Sequence, residues 1–149
     1  MIQLDGLQLT GEAFSCTGHQ LALVVASLKS VASDCVWFVA DLEAQGYSLP
    51  PAWINAHTPI MFGATDELAA FAEGVPQFLA GVFLAAPSAR LPPVWSRSFW
   101  TDDEPFEELD GTILEIRAFD TSWIEVYADE EARLHGLAQR FGGAIVRAG

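Results

Sequence analysis

Two short runs of alternating apolar and polar residues near the C-terminus constrain the possible folds more than any other feature. Residues 111–119 and 123–127 alternate with a period of two, which is typical of β-strands with one buried face. Only residues 120–122 lie between the two runs. Strands joined by so short a connection run antiparallel, so the sequence predicts a β-hairpin here.

The register of this hairpin can be argued from its side chains. A shift of one residue turns every side chain of a strand to the opposite face of the sheet. A two-residue loop would place the apolar Ile116 opposite Glu125. A three-residue loop, residues 120–122, instead pairs apolar with apolar residues and a base with an acid. The predicted pairs are Phe119–Trp123, Ala118–Ile124, Arg117–Glu125 and Ile116–Val126.

The rest of the chain mixes helical and extended patterns. Thr17 and Gln20 have the spacing of a capping box, and the apolar residues that follow recur at helical intervals. This predicts a helix over about residues 18–32. The apolar, β-branched and aromatic runs at residues 35–42 and 78–85 predict two buried strands.

Further elements are predicted at the ends and in the long connection. Residues 2–9 predict a strand or a hairpin, and Thr65 is expected to begin a second helix. Asp129 is expected to cap the last helix, whose apolar stripe follows it. In the proline-rich connection of residues 86–110 we expect an ordered loop with an edge strand near Phe99.

The elements follow no strict β-α-β order, which argues against a parallel sheet. We therefore predict an α+β fold with an antiparallel or mixed sheet of about four to six strands and helices packed on one side. The length, 149 residues, is typical of one domain, so residues 1–149 are expected to form a single globular domain.

The net charge of −13 is the sharpest compositional feature. Twelve of the 20 acidic residues lie between Phe99 and Glu131, where Arg117 is the only base. Such a field repels nucleic acids and anionic membranes and attracts basic proteins, so we expect a basic protein partner. The longest apolar run, residues 21–28, is too short for a membrane span, and no signal peptide is recognised. These features predict a cytoplasmic protein without a membrane partner.

The sequence contains no recognised catalytic or metal-binding motif. The acidic run at residues 102–108 has the charge of a calcium loop, but Glu107 occupies the sixth position, where such loops need glycine. We therefore expect no catalytic residue, no metal and no cofactor. Cys16 and Cys35 are expected to be reduced and to serve as small apolar fillers of the core.

Two polar residues are candidates for a ligand pocket. His57 lies near Trp53 in an irregular segment, and Asp41 ends a predicted strand, where a functional carboxylate can sit. A structural role is the simpler interpretation of each, a strand-end turn in the case of Asp41. Glu115 shares a sheet face with a second glutamate, but Arg117 is the simpler partner for both carboxylates.

Tryptophans lie in or beside the acidic region. Aromatic side chains among acids have the composition of a patch that binds a basic protein, with aromatic anchors and steering charges. The same tryptophans can instead pin the long loop to the sheet, and the sequence favours neither interpretation. The candidate partner-binding residues are Trp95, Trp100, Asp102, Asp103, Glu104, Glu107, Glu108 and Trp123.

The segment GTILEIRAFDTSWIEVYADEE at residues 111–131, together with FLAGVFLA at residues 78–85, resembles a family of small bacterial proteins. The family includes immunity-type proteins of polymorphic or secreted toxin systems, and the resemblance covers about a third of the chain. It implies a hairpin followed by a helix and carries no catalytic residue. For function, it implies a cytoplasmic immunity protein that neutralises a toxin by covering its basic active-site surface.

Two other functions stay open at the level of the sequence. The chain can be a small-ligand-binding domain, or an enzyme, with a pocket near Trp53 and His57. It can also be a subunit that self-associates through its aromatic loop. A deep pocket with convergent polar groups favours the first alternative, and a large apolar self-interface favours the second.

Overall fold

An antiparallel sheet is the centre of the fold in the computed structural model, which describes residues 1–104, 109 and 111–147. Within these residues the chain forms six strands in one sheet and four α-helices. In chain order they are β1 (Ile2–Leu4), α1 (Gly6–Thr10), α2 (Gly18–Ser27), β2 (Cys35–Gln45), β3 (Ile60–Gly63), α3 (Thr65–Glu73), β4 (Gln77–Pro87), β5 (Leu114–Phe119), β6 (Trp123–Ala128) and α4 (His135–Phe141).

The strand order across the sheet is β1-β6-β5-β4-β2-β3, and every pairing between these strands is antiparallel. The predicted α+β class is confirmed, with the antiparallel alternative correct. The predicted strands at residues 35–42 and 78–85 are both present and extend further than expected. They pair with each other in the middle of the sheet.

The hairpin of β5 and β6 has the predicted register. Phe119 lies opposite Trp123 and Arg117 lies opposite Glu125. The backbone N–H of Ser122 donates to the carbonyl oxygen of Phe119 at 3.0 Å. Thr121 has a φ of 53°, the left-handed conformation that three-residue hairpin loops place at one position. The period-two pattern and the charge pairing thus predicted the same register that the structure has.

The capping box that begins α2 is also confirmed. The Thr17 hydroxyl accepts from the N–H of Gln20 at 3.2 Å, and the Gln20 side chain accepts from the N–H of Thr17 at 3.1 Å. The helix ends at Ser27 and not at residue 32 as predicted. The N–H groups of Leu28 and Lys29 bond three residues back, because the chain tightens into turns that lead to β2.

Three predictions about the starts of elements were partly wrong. The predicted strand is present as β1, but the chain then enters α1, capped by Asp5, so residues 2–9 form a strand and a short helix. Helix α3 begins at Thr65 as expected, but Ala64 occupies the cap position. The Thr65 hydroxyl instead accepts from Trp37 Nε1 at 2.9 Å and donates to the carbonyl oxygen of Ala32 at 3.2 Å. Asp129 binds Arg133 at 2.6 Å and caps no helix, since a 3₁₀ turn precedes α4.

The two faces of the sheet are covered differently. The helices pack on one face, as predicted, over a core that includes Trp37 and Phe83. On the other face Phe38 and Leu84 are covered by the segment 88–104, chiefly by Phe99. That segment contains no strand, so the predicted edge strand near Phe99 was wrong. The N–H of Phe99 makes a single bond to the carbonyl oxygen of His57, at 2.8 Å.

Both cysteines are free and buried, as expected of core fillers. Cys16 has a further role, because its thiol donates to the carbonyl oxygens of Phe119 and Trp123, at 2.8 and 3.1 Å. It thereby joins the N-terminal segment to the hairpin. Burial raises the pKa of the Cys16 thiol from 9.0 to about 12, so the group stays protonated where an unfolded chain ionises.

The close approach of α2 to α3 generates the first prediction. A Cβ on Gly18 would lie 1.8 Å from the Val75 carbonyl oxygen. We expect Gly18→Ala to lower the free energy of unfolding by about 2–3 kcal/mol, as overpacking does. Gly136→Ala in α4 is the matched control, because an added Cβ there meets no described atom within 4 Å. It should gain up to about 1 kcal/mol from helix propensity. Urea denaturation measures the free energy of unfolding of both variants. Equal values for the two variants would contradict the close contact at Gly18.

The Cys16 thiol generates the second prediction. Because its folded pKa is raised, its contribution to stability is complete below pH 9.0 and is lost as the pH rises towards about 12. We expect the free energy of unfolding to fall from about pH 9 towards pH 12, approaching an extra loss of about 1.4 kcal/mol per pH unit from this group. Cys16→Ala should show a shallower fall, whereas Cys35→Ala keeps the Cys16 contribution. Identical pH slopes for the wild type and Cys16→Ala would refute this role.

Candidate functional site

A buried ion network holds the long loop on the sheet. The Glu115 carboxylate on β5 accepts from Arg117 Nε at 2.7 Å and from Arg97 Nη2 at 2.9 Å. Glu115 is 0% exposed and Arg117 is 1% exposed. Arg97 comes from the loop, and Arg117 reaches back to donate to the carbonyl oxygen of Asp103. The contact between Glu115 and Arg117 was predicted, whereas the part played by Arg97 was not.

Aromatic rings complete this layer beside the charges. The guanidinium of Arg97 lies 3.8 Å from the centre of the Phe99 ring, and that of Arg117 lies 4.8 Å from the Tyr127 ring. The Tyr127 hydroxyl donates to Glu125, and burial raises the pKa of that hydroxyl. The loop therefore rests on an apolar patch over β2 and β4 and on a charged patch over β5 and β6.

Asp41 clamps the next part of the loop. Its Oδ2 accepts from the N–H and the hydroxyl of Thr101, both at 2.8 Å, and its Oδ1 lies 3.2 Å from His57 Nε2. The sequence suggested that Asp41 ends its strand, and this was wrong, because β2 continues to Gln45. Asp41 lies at a bulge within β2 with a φ of 50°. A non-glycine residue in this conformation stores backbone strain, which proteins retain where a side chain must be aimed.

The clamp presents Trp100 to solvent. The indole ring of Trp100 stacks on the His57 imidazole, with ring centres 3.5 Å apart, and the tryptophan stays 48% exposed. Trp95 behaves differently, since it is half-buried and packs edge-on against Phe38 and Phe99. The two loop tryptophans therefore take different positions. Trp95 pins the loop, and Trp100 lies on its outer surface.

Burial alternates along the loop from residue 97 to residue 102. Arg97, Phe99 and Thr101 point inward and hold the sheet, whereas the intervening residues 98, 100 and 102 are exposed. The alternation arises without a regular strand, because the segment bends at residue 97 and turns at residues 101–102. It places the inward anchors and the outward candidates for binding on the same short segment.

The predicted acidic site residues divide into structural and free carboxylates. Asp103 accepts from the N–H of Trp100 at 3.2 Å and lies 4.0 Å from Arg97, so it shapes the loop. Asp102 and Glu104 are exposed, and within the described residues their carboxylates have no partner. Predicted site residues Glu107 and Glu108 lie outside the described residues.

Trp123 is half-buried, packs against Phe119 and donates from Nε1 to Glu125 at 2.8 Å. It is therefore held within the hairpin and is less exposed than Trp100.

An open groove lies between the loop and the turn of the hairpin. Its volume is about 290 Å³. The sequence prediction missed this feature, because it joins residues about twenty positions apart on two turns. Its lining contains both apolar and polar residues, namely Leu79, Ala80, Thr101, Asp102, Phe119, Asp120 and Ser122.

The structure separates the residues of the predicted ligand pocket. Trp53 packs against Phe62 and Phe71, whereas His57 packs against Trp100. Over residues 1–104, 109 and 111–147, no cluster of His, Cys, Asp and Glu side chains is arranged to hold a metal ion. Over the same residues, no helix has the length and apolar character of a membrane span.

Comparisons of the chain with protein-family models, with characterised proteins and with solved structures find no match. The site is therefore interpreted from its own geometry. That geometry consists of a fixed, exposed tryptophan, solvent-facing carboxylates beside it, and a small groove at the hairpin turn.

The ion network generates the third prediction. Glu115→Gln removes the charge that neutralises Arg97 and Arg117 while keeping the side-chain shape. Removing one charge of a buried ion pair costs about 3–5 kcal/mol. We therefore expect the free energy of unfolding, measured by urea denaturation, to fall by that amount. Amide hydrogen exchange should increase at residues 97–104.

The matched control for this variant is Asp129→Asn, which breaks a more exposed pair with Arg133. It should cost no more than about 1 kcal/mol and leave exchange in the loop unchanged. A Glu115→Gln variant as stable as this control would show that the network does not hold the loop.

Proposed function

We propose that this chain is a cytoplasmic immunity-type protein that neutralises a toxin by covering its basic active-site surface. One observation carries the proposal: Trp100 is held rigidly at the surface, 48% exposed, beside the free carboxylates of Asp102 and Glu104. Tryptophan is the residue most enriched among the hot spots of protein interfaces. Free carboxylates around such an anchor favour a basic partner.

The rigidity of Trp100 supports a role in binding. A side chain already fixed before its partner arrives loses less conformational entropy on association, which strengthens binding. Trp100 meets this condition through its stack on His57 and through the bonds that hold the adjacent Thr101 on Asp41. The partial exposure of a large aromatic ring has no evident benefit for the fold alone.

The charge distribution supports a basic partner. Several acids between Phe99 and Glu131 already accept hydrogen bonds from other side chains, among them Glu115 and Glu125. Asp102, Glu104 and Asp120 face solvent. With a net charge of −13, they attract a basic surface over distances of about a Debye length. A toxin that acts on an anionic substrate carries such a surface, and carboxylates can replace the substrate's phosphates. The sequence resemblance to immunity-type proteins directs the proposal to toxins.

Self-association is the second candidate function, and exposed apolar side chains favour it. Met61 on the edge strand β3 is 65% exposed, and Val94 in the loop is 84% exposed. Edge strands with apolar side chains can pair with another copy of the chain. Sedimentation at micromolar concentration separates the candidates, since a dimer lost in Met61→Lys favours self-association and a monomer favours the first proposal.

The fourth prediction tests the proposed function and requires a purified toxin domain that binds this chain. Replacing Asp102 and Glu104 with Asn and Gln should slow association at low salt, because charges at the rim act mainly on the on-rate. The effect should shrink as the Debye length falls from about 10 Å at 0.1 M to about 3 Å at 1 M salt. Trp100→Ala should instead speed dissociation and cost about 2 kcal/mol or more. Surface plasmon resonance measures both rates.

The matched control for the acids is the double variant Glu12→Gln and Glu73→Gln, which removes the same charge from the helical side of the molecule. It should leave both rates near those of the wild type at the two salt concentrations. Thermal melting confirms that each variant is folded. If neutralising Asp102 and Glu104 leaves the association rate unchanged at low salt, the proposal fails.

A further inference from the structure

The groove at the hairpin turn has the composition of a receptacle for one long basic side chain. Its apolar lining residues are Leu79, Ala80 and Phe119, and its polar lining residues are Thr101, Asp102, Asp120 and Ser122. Its volume of about 290 Å³ lies at the lower end of the range for small-molecule pockets, roughly 300–1,000 Å³. A single extended side chain matches this volume better than a complete metabolite does.

The two walls of the groove are fixed by the fold. On the loop side, Thr101 is 3% exposed and bonded to Asp41, and its hydroxyl accepts from the N–H of Gly81 at 3.0 Å. On the hairpin side, the Ser122 hydroxyl donates to the carbonyl oxygen of Asp120 at 3.1 Å. The groove therefore exists before any ligand arrives, and its filling requires no rearrangement of these two turns.

The carboxylates of Asp102 and Asp120 are the unused groups of the groove. Both residues are exposed, and within the described residues neither carboxylate accepts a hydrogen bond or forms an ion pair. Most other acids of this region with a described position are bonded to a base, an indole or a hydroxyl. A groove lined by two residues with unpaired carboxylates and by apolar and aromatic residues is complementary to a cation that also has an apolar stem.

We infer that this groove binds an arginine side chain of the protein partner. The guanidinium is planar, weakly hydrated and able to bond to carboxylates while it stacks on an aromatic ring, here Phe119. A lysine ammonium is a strongly hydrated point charge and gains less from such a wall. The inference rests on the proposed function for the identity of the partner, and it adds a specificity site next to the Trp100 anchor.

The fifth prediction tests the groove without any toxin. The full chain labelled with ¹⁵N is titrated with the blocked peptide acetyl-Gly-Arg-Gly-amide at low salt. We expect saturable shifts of the amide signals of residues 101, 102, 120 and 122. The citrulline peptide, which has the same shape without the charge, should cause none, and the lysine peptide should bind more weakly.

Substitutions identify the carboxylates. Asp102→Asn and Asp120→Asn should each weaken arginine-peptide binding about two- to fivefold, the range for an exposed ion pair, and the double variant should abolish measurable binding. Glu12→Gln, an exposed acid next to α1, is the matched control and should bind like the wild type. Both aspartates lie on exposed turns, and the unchanged spectra of the variants outside the groove verify that they are folded.

Three results would overturn the inference. They are shifts spread evenly over the exposed acids, equal binding of the lysine and arginine peptides, and a double variant that binds as tightly as the wild type. Because the probe is a peptide, these results are independent of the toxin experiment. Saturable peptide binding without any toxin binding would refute the proposed function and keep the groove.

Discussion

The contact on which the loop side of this structure depends is the bridge that the Glu115 carboxylate makes between Arg97 and Arg117. Two guanidinium groups out of water are unfavourable without a counter-charge, and one carboxylate with two oxygens serves both. The bridge links the loop to the central strands at a point where apolar contact ends. Without it, the described contacts of the segment after Arg97 are the packing of Phe99, the contacts of Phe99 and Trp100 with His57, and the bonds of Thr101.

This arrangement assigns different physical tasks to the two faces of the sheet. The helical face is an apolar core in which tight contacts such as that of Gly18 set the stability. The loop face combines buried charge, strain at Asp41 and an exposed indole, and each of these lowers stability or adds little to it. Proteins keep such features where recognition requires a surface that is fixed in advance. The sheet therefore holds the loop and its exposed carboxylates in place, although the loop is not part of the main apolar core.

Contacts between residues close in the sequence could be predicted, whereas contacts between distant residues could not. The hairpin register was predictable because Arg117 and Glu125 are eight positions apart and their pairing is set by a period of two. The clamp between Asp41 and Thr101 spans sixty positions and needs a left-handed residue within a strand, for which the local sequence has no signal. The edge strand expected near Phe99 reflected a real alternation, but the segment is held by side chains and lacks the ladder of backbone bonds.

That alternation has an evolutionary consequence. The inward residues Arg97, Phe99 and Thr101 are constrained by their neighbours on the sheet, whereas the outward positions 98, 100 and 102 are exposed and contribute little to the core. Substitutions at positions 98, 100 and 102 can therefore accumulate without loss of the fold. When a binding partner changes during evolution, the chain can change at every second residue of this segment while the inward residues keep the loop on the sheet.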